Sequence, residues 1–284
     1  MTKYRPLNIS KRRIVFITGT AILFALTIWL LNQLAFLADY WSSFETYRTI
    51  ETDFCEKTFM HKFVRQPINT FSNFVYFMVA VALLRRGWKD QNKRQPYNLV
   101  SANPFYSIVF GLILLYTFIA STIFHSSLLI FTNKLDYSAV YSMSLFPLMY
   151  FTHRLWLLQI AVPSNQKHSK STTTVITVFS VLYVVCTFFL PTHIGKIIVL
   201  FILGLLVLFG VYVERKAPGH TNHRYMVVCI LSILFAVMWF AFDVYKVFCD
   251  SNSFIQPHSL WHLFAGISAF YFYMYIRSER NKLA

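Results

Sequence analysis

Charged side chains are scarce in this chain, at 13% of 284 residues, against roughly 25% in ordinary soluble domains. Acidic ones are scarcer still: 11 Asp+Glu stand against 26 Lys+Arg, for a formal net charge of +15. So few polar side chains cannot cover a soluble surface of this size. Four cysteines are too few for a disulfide-packed miniprotein, and eight glycines exclude a collagen-like repeat. What is plentiful is apolar and aromatic, 56% and 19% of the chain, and that abundance excludes disorder. A soluble protein with this basic excess would point to nucleic acid. The meaning of the charge therefore depends on where it lies.

Eight apolar stretches reach membrane-spanning length, at 14–37, 68–85, 105–131, 135–158, 173–190, 194–213, 225–248 and 257–276; about 20 residues suffice for a helix to cross a bilayer. They are too long for barrel strands and do not alternate. The first follows Lys3, Arg5, Lys11, Arg12 and Arg13 but is too long for a signal-peptide core, so it is read as a retained helix. The basic residues then fall on one side, in 1–13, 85–104, 154–172, 214–224 and 277–284. Most acids fall on the other: Asp39, Glu45, Glu51, Asp53, Glu56 and Asp250. This is the positive-inside pattern. It predicts an all-α, multi-pass integral membrane protein with both termini cytoplasmic, and it replaces the nucleic-acid reading by an insertion signal with some attraction to anionic lipid.

Ionisable groups inside such spans cost about 2.5–3.5 kcal/mol each, so they call for a reason. The third span carries Ser121 and His125, one helical turn apart; the fourth opens with Asp136; the seventh carries Asp243; the eighth begins with Pro257, then His258 and His262, again one turn apart. On the predicted topology Ser121, His125, Asp136, His258 and His262 share one depth near the outer headgroup boundary. Three imidazoles with an open fourth position form a standard catalytic zinc arrangement. Each residue also has a bland reading. A lone intramembrane His can be a hydrogen-bonded packing residue, Ser121 can bond back to its own helix, and Asp136 can complement a helix dipole. Their coincidence at one depth is what those readings leave unexplained. The remaining histidines fall in loops or helix ends and are assigned nothing.

Several blocks occur in order: "TDFCEKTF", "PINTFSNFVYF", Ser121-x-x-x-His125, Asp136 eleven residues later, "VFCD" and "PHSLWH". Over about 50–277 the chain thereby resembles the alkaline ceramidases, membrane amidases of a superfamily that includes the progestin/adiponectin-type receptors. The resemblance implies a seven-helix catalytic bundle at 50–277, preceded by an additional N-terminal transmembrane helix within 1–49 and followed by a cytoplasmic tail at 278–284. It implies Zn2+ held by His125, His258 and His262, with Ser121 and Asp136 as catalytic groups, and hydrolysis of the ceramide amide to a sphingoid base and a fatty acid. The site then faces the periplasmic or luminal side, and the partners are a ceramide-like membrane lipid and the bilayer itself.

Four further expectations accompany it. The family's Ca2+ site is built around an Asp-Trp-Cys-Glu block, which here reads Asp53-Phe54-Cys55-Glu56; its other two ligand positions fall at Thr58 and Gln66. Losing a carboxylate weakens such a site, and a solvated acidic loop is the alternative. Cys55 and Cys249 both lie on the oxidising side, either paired or as free thiols. Tyr137, Tyr141 and Trp261 either line an acyl groove or simply pack. A receptor that keeps the metal motif without turnover, or an esterase on the same scaffold, fits the polar residues as well as an amidase does.

Overall fold

Long apolar runs have no water to satisfy their backbone groups in a bilayer, so each run closes its hydrogen bonds on itself as a helix. In the computed structural model the described residues are 11–46, 54–92, 98–159, 192–216 and 221–279, with 174, 177–179, 181–183 and 185 between them. Among these residues the regular structure is helical, apart from one isolated bridge between Thr46 and Leu129. The helices are α1 (Lys11–Gln33), α2 (Pro67–Ser72), α3 (Phe74–Asn92), α4 (Leu99–Ala102), α5 (Phe105–Ser127), α6 (Ile130–Gln159), α7 (Thr192–Lys216), α8 (His223–Val244) and α9 (Pro257–Arg277). A short 3-10 turn at Ala35–Leu37 follows α1.

The chain is an all-α membrane protein. Among the described residues five helices are long and apolar enough to cross a bilayer: Ile14–Gln33, Pro67–Asn92, Phe105–Ser127, Ile197–Lys216 and His223–Val244. Eight spans were expected. Two of the remaining three, α6 and α9, have spanning length at 30 and 21 residues. Lys134, Asp136 and Arg154 interrupt the apolar run of α6, and His258 and His262 that of α9. The expected span 173–190 lies largely outside the described residues. The third span was expected to run to residue 131, but α5 stops at Ser127 because Leu128 takes a left-handed conformation with φ 52°. The apolar run continues past that break, so nothing in it marks the stop.

α8 and α9 lie side by side; α3 packs on α5, α5 on α6 and α6 on α7, while α9 closes back on α2 and α3. Phe110 of α5 and Phe146 of α6 stack at 4.2 Å in the centre, with Phe272 of α9 edge-on to Phe110 at 6.1 Å. Small residues set the closest approaches, as is common between membrane helices. A Cβ at Gly266 of α9 would stand 2.6 Å from Val75 Cγ2 of α3, and one at Gly111 of α5 would stand 2.7 Å from Leu84 Cγ. Gly266→Ala is therefore expected to push α9 off α3 and destabilise the fold by about 1–3 kcal/mol, read as a lower melting temperature in detergent. An unchanged melting temperature would show that the interface yields freely.

At one end of the bundle buried charges are paired. Arg154 of α6 bridges Glu214 of α7 at 2.5 Å and Glu279, just past α9, at 2.7 Å, and the Tyr150 hydroxyl donates to Glu279 at 2.7 Å. Unpaired, these charges would be prohibitively costly there. His153, assigned nothing from sequence, bonds the Tyr106 hydroxyl. The histidine cluster lies at the opposite end.

Candidate metal centre

The site is assembled where α5 ends and α6 and α9 begin. His125 sits in the last turn of α5, whose carbonyls lack partners within the helix. The segment after residue 64 supplies them. Arg65 N donates to Ser126 O and Gln66 N to His125 O, both at 3.1 Å, and Arg65 Nη1 donates to Ser127 O at 2.6 Å. α9 opens on Pro257, whose missing N–H costs nothing at a first helical position, and Ser259 Oγ accepts the Gln256 N–H at 3.2 Å. His258 and His262 then project from one face, one turn apart.

His125, His258 and His262 are all buried, and one nitrogen from each lies within 4.8 Å of the others. Their ring centroids are 4.9 Å (His125–His258), 5.2 Å (His125–His262) and 4.7 Å (His258–His262) apart. The second nitrogen of each ring meets an orienting group. His125 Nδ1 is 2.8 Å from Gln66 Oε1. An amide oxygen only accepts, so Nδ1 carries the proton and Nε2 keeps its lone pair. That Nε2 is buried without a hydrogen-bond partner. His262 Nδ1 is 2.7 Å from Ser72 Oγ, whose own proton goes to Asn69 O at 2.7 Å, so His262 also donates through Nδ1. His258 Nδ1 lies 3.2 Å from Asp243 Oδ2, at ion-pair distance but without hydrogen-bond alignment. Asp243 Oδ1 in turn accepts the Cys55 N–H at 2.8 Å.

A buried lone pair with no donor is expensive. Converging lone pairs, each ring held by a second group, form the donor set and support that a metal ion requires. The residues present fit one.

Ser121 hydrogen-bonds Asp136, and Asp136 lies close enough to His258 to interact with it electrostatically. Beside them is a pocket of about 80 Å³, lined by Asp136, His258, Phe54, Phe124, Tyr137 and Trp261 among others. Tyr141, grouped with Tyr137 and Trp261 in the sequence, is instead buried one turn along α6, its ring 6.3 Å from that of Tyr137. Ser121, His125, Asp136, His258 and His262 are thus brought to one place.

The neighbouring loop is tied down from several sides. Cys55 and Cys249 form a disulfide with Cα atoms 5.5 Å apart. Phe54 stands edge-on to His125 at 5.3 Å and to His258 at 4.8 Å. Glu56 accepts the N–H groups of Ile68 at 2.7 Å and Asn69 at 2.8 Å, capping α2 with both carboxylate oxygens. Asp53, its expected partner around calcium, lies outside the described residues. Of the other two calcium positions, Gln66 is engaged with His125, and its Nε2 reaches Thr58 Oγ1 at 3.4 Å.

Burial pushes the Glu56 carboxyl from the ordinary 4.5 up to about 7; Asp243 adds to the rise and the two N–H bonds oppose it. Raised in the folded state, such a group favours folding fully below pH 4.5, and the advantage is lost as pH rises through its folded value. In chemical denaturation, the stability of the wild type relative to Glu56→Gln is therefore expected to fall from about pH 5 to about pH 8. Parallel pH curves would contradict it.

Gln66, Ser72, Asp243 and Phe54 are the site groups that the sequence did not reveal in these roles. Asp243 stood out as an acid in an apolar span, but nothing local names its partner. Gln66 stood out only as a calcium position and Ser72 only as part of a family block, and nothing local names either as the partner of a histidine.

With the geometry in place, comparison with known proteins is informative. The profile of the Ceramidase family matches residues 46–283. Alkaline ceramidase 1 of Mus musculus is 26% identical over 233 residues, covering 80% of this chain and 79% of the mouse protein. The match spans α2 to α9 and takes in every residue of the histidine cluster and of its support, so the chain belongs to the ceramidase family and is a hydrolase acting on an amide bond.

Proposed function

We propose that His125, His258 and His262 hold zinc and that the enzyme hydrolyses the amide of ceramide or a related N-acyl lipid, releasing a sphingoid base and a fatty acid. The observation that carries this reading is the convergence of buried imidazoles, one with an orphaned Nε2, beside the Ser121–Asp136 pair and an aromatic-lined pocket. The mouse relative, named for ceramide cleavage, supports the choice of substrate.

Zinc, when bound, supplies a Lewis acid for the scissile carbonyl and lowers the pKa of water from about 15.7 toward about 7. Asp136 accepts the proton of the attacking water and returns it to the leaving amine, as general base and then acid. Ser121 aims the carboxylate first. Once Asp136 is protonated it can donate to Ser121 Oγ, which frees the serine O–H for the developing oxyanion. No acyl-enzyme is required. Gln66, Ser72 and Asp243 hold the ring orientations. Tyr137 and Trp261 shape the apolar wall of the pocket, and Glu56 is assigned to the cap of α2 rather than to calcium.

The charge distribution supports cytoplasmic termini and a site toward the periplasmic or luminal side. At that depth a lipid amide at the headgroup–acyl boundary reaches the site without leaving the membrane. The test is a panel of N-acyl and O-acyl lipids incubated with purified protein of known zinc content and followed by mass spectrometry, with and without chelator. Sphingoid base is expected from ceramide, lost on chelation and restored by zinc. Stoichiometric zinc with no turnover of any N-acyl lipid would overturn the proposal in favour of a non-catalytic receptor. Preferential cleavage of O-acyl lipids would overturn it in favour of an esterase.

A further inference from the structure

All of α1 lies outside the family match, which begins at residue 46, and its apolar side chains are largely exposed, with Val15, Leu23 and Trp29 all more than half so. Taken alone these features describe a membrane anchor. The end of the helix shows more. Asn32, next to last in α1, pairs with the backbone of Val64 in both directions: its Nδ2 donates to Val64 O at 3.0 Å, and its Oδ1 accepts the Val64 N–H at 2.7 Å. Lys62 Nζ donates to Asn32 O at 3.1 Å, satisfying a carbonyl that the helix end leaves open. Just beyond α1, Trp41 Nε1 donates to Phe63 O at 2.7 Å.

The next two residues of that same segment face the histidines. Arg65 N and Gln66 N are spent on the last carbonyls of α5, and the Gln66 side chain reaches His125 Nδ1 at 2.8 Å. The backbone of 63–66 is therefore gripped from α1 on one side and from α5 on the other. Val64, at the centre of the α1 grip, is only two residues from the amide that orients His125. A side-chain amide that pairs with both the N–H and the C=O of one residue holds the two successive peptide groups flanking its Cα, and so fixes the local backbone in position and in rotation, which an apolar contact does not.

We infer that Asn32 is a positioning residue for the metal centre: by clamping Val64 it holds the Gln66 amide under His125 Nδ1 and so sets the direction of His125 Nε2. The extra N-terminal helix is then a brace for the site as well as a membrane span. The inference rests on the proposed reading of the histidines as metal ligands, though not on the identity of the lipid.

A double-mutant cycle in the full-length protein tests it, with Asn32→Leu, Gln66→Leu and the pair. The readouts are the rate of zinc loss to a chelator, and kcat and KM for ceramide. Each single variant is expected to speed zinc loss by about ten- to hundredfold, the usual effect of removing a group that orients a ligand. kcat should fall with KM little changed. The pair should lose zinc no faster than Gln66→Leu alone, because Asn32 acts through Gln66. Zinc loss from Asn32→Leu at the wild-type rate overturns the inference, whatever happens to yield or melting temperature, and so do effects that multiply in the pair. Should Asn32→Leu fail to fold, Asn32→Asp keeps the acceptor for Val64 N–H and drops the donor. Its zinc loss is expected between wild type and Gln66→Leu, and a wild-type rate overturns the inference equally. Wild-type protein that binds zinc without hydrolysing lipid amides sinks the functional proposal but leaves the zinc comparison intact. Wild-type protein that binds no zinc sinks both.

Discussion

His125→Ala is expected to abolish bound zinc and amide hydrolysis together. Of the three imidazoles His125 is the most enclosed, fully buried at the end of α5, and its Nε2 has no hydrogen-bond partner in the protein. The ring is set from outside by Gln66, and its own backbone carbonyl is bonded by Gln66 N. Two histidines from one turn of α9 cannot close a three-ligand site on their own. A metal of this kind contributes several kcal/mol to transition-state stabilisation, and each 1.36 kcal/mol is tenfold in rate, so a loss of at least about 10³-fold in kcat/KM is expected. Metal analysis of the purified variant should show zinc well below one equivalent. His125→Ala with full zinc and wild-type turnover would mean that the ligands lie elsewhere.

Asp136→Asn should separate chemistry from metal binding. Asp136 sits on α6 rather than among the imidazoles, hydrogen-bonded to Ser121 and within electrostatic reach of His258. Asparagine has nearly the same shape and can still meet the Ser121 hydroxyl, but it cannot accept a proton. General acid–base catalysis contributes about 10²–10⁴-fold, and a loss of that size in kcat is expected with zinc retained and KM little altered. Ser121→Ala should cost less, because it leaves the carboxylate in place. A zinc-free Asp136→Asn protein would instead make Asp136 a ligand, and an active one would move the base to another group.

That the polar residues of the candidate site lie together was legible in the sequence for one physical reason. In a membrane, polar groups inside apolar helices are too costly to be incidental, so Ser121, His125, Asp136, His258 and His262 stood out against their surroundings, and the basic loops placed them at one depth. The same contrast fails outside the spans. Gln66 and Ser72 lie in or beside polar loop sequence, where a glutamine or serine is ordinary, and the sequence did not show that both oxygens of Glu56 meet the N-terminus of α2. Tyr141 could not be told from Tyr137 in so aromatic a chain; only packing turned one toward the pocket and buried the other. The stop of α5 at Ser127 was hidden because an apolar run does not reveal a left-handed residue such as Leu128 within it.

Hydrophobic length and the placement of charge are local properties, and by themselves they determined that this chain is a helical membrane protein with a few costly polar residues in its spans. Only the tertiary structure decided which nitrogen of each histidine faces inward, because that depends on partners from distant segments: Gln66 for His125, Ser72 for His262 and Asp243 for His258. It alone also decided that α1 grips the segment next to the site, since a side-chain amide finds a backbone thirty-two residues away only once the chain has closed. Insertion energetics act on each segment separately, whereas ligand direction exists only between segments.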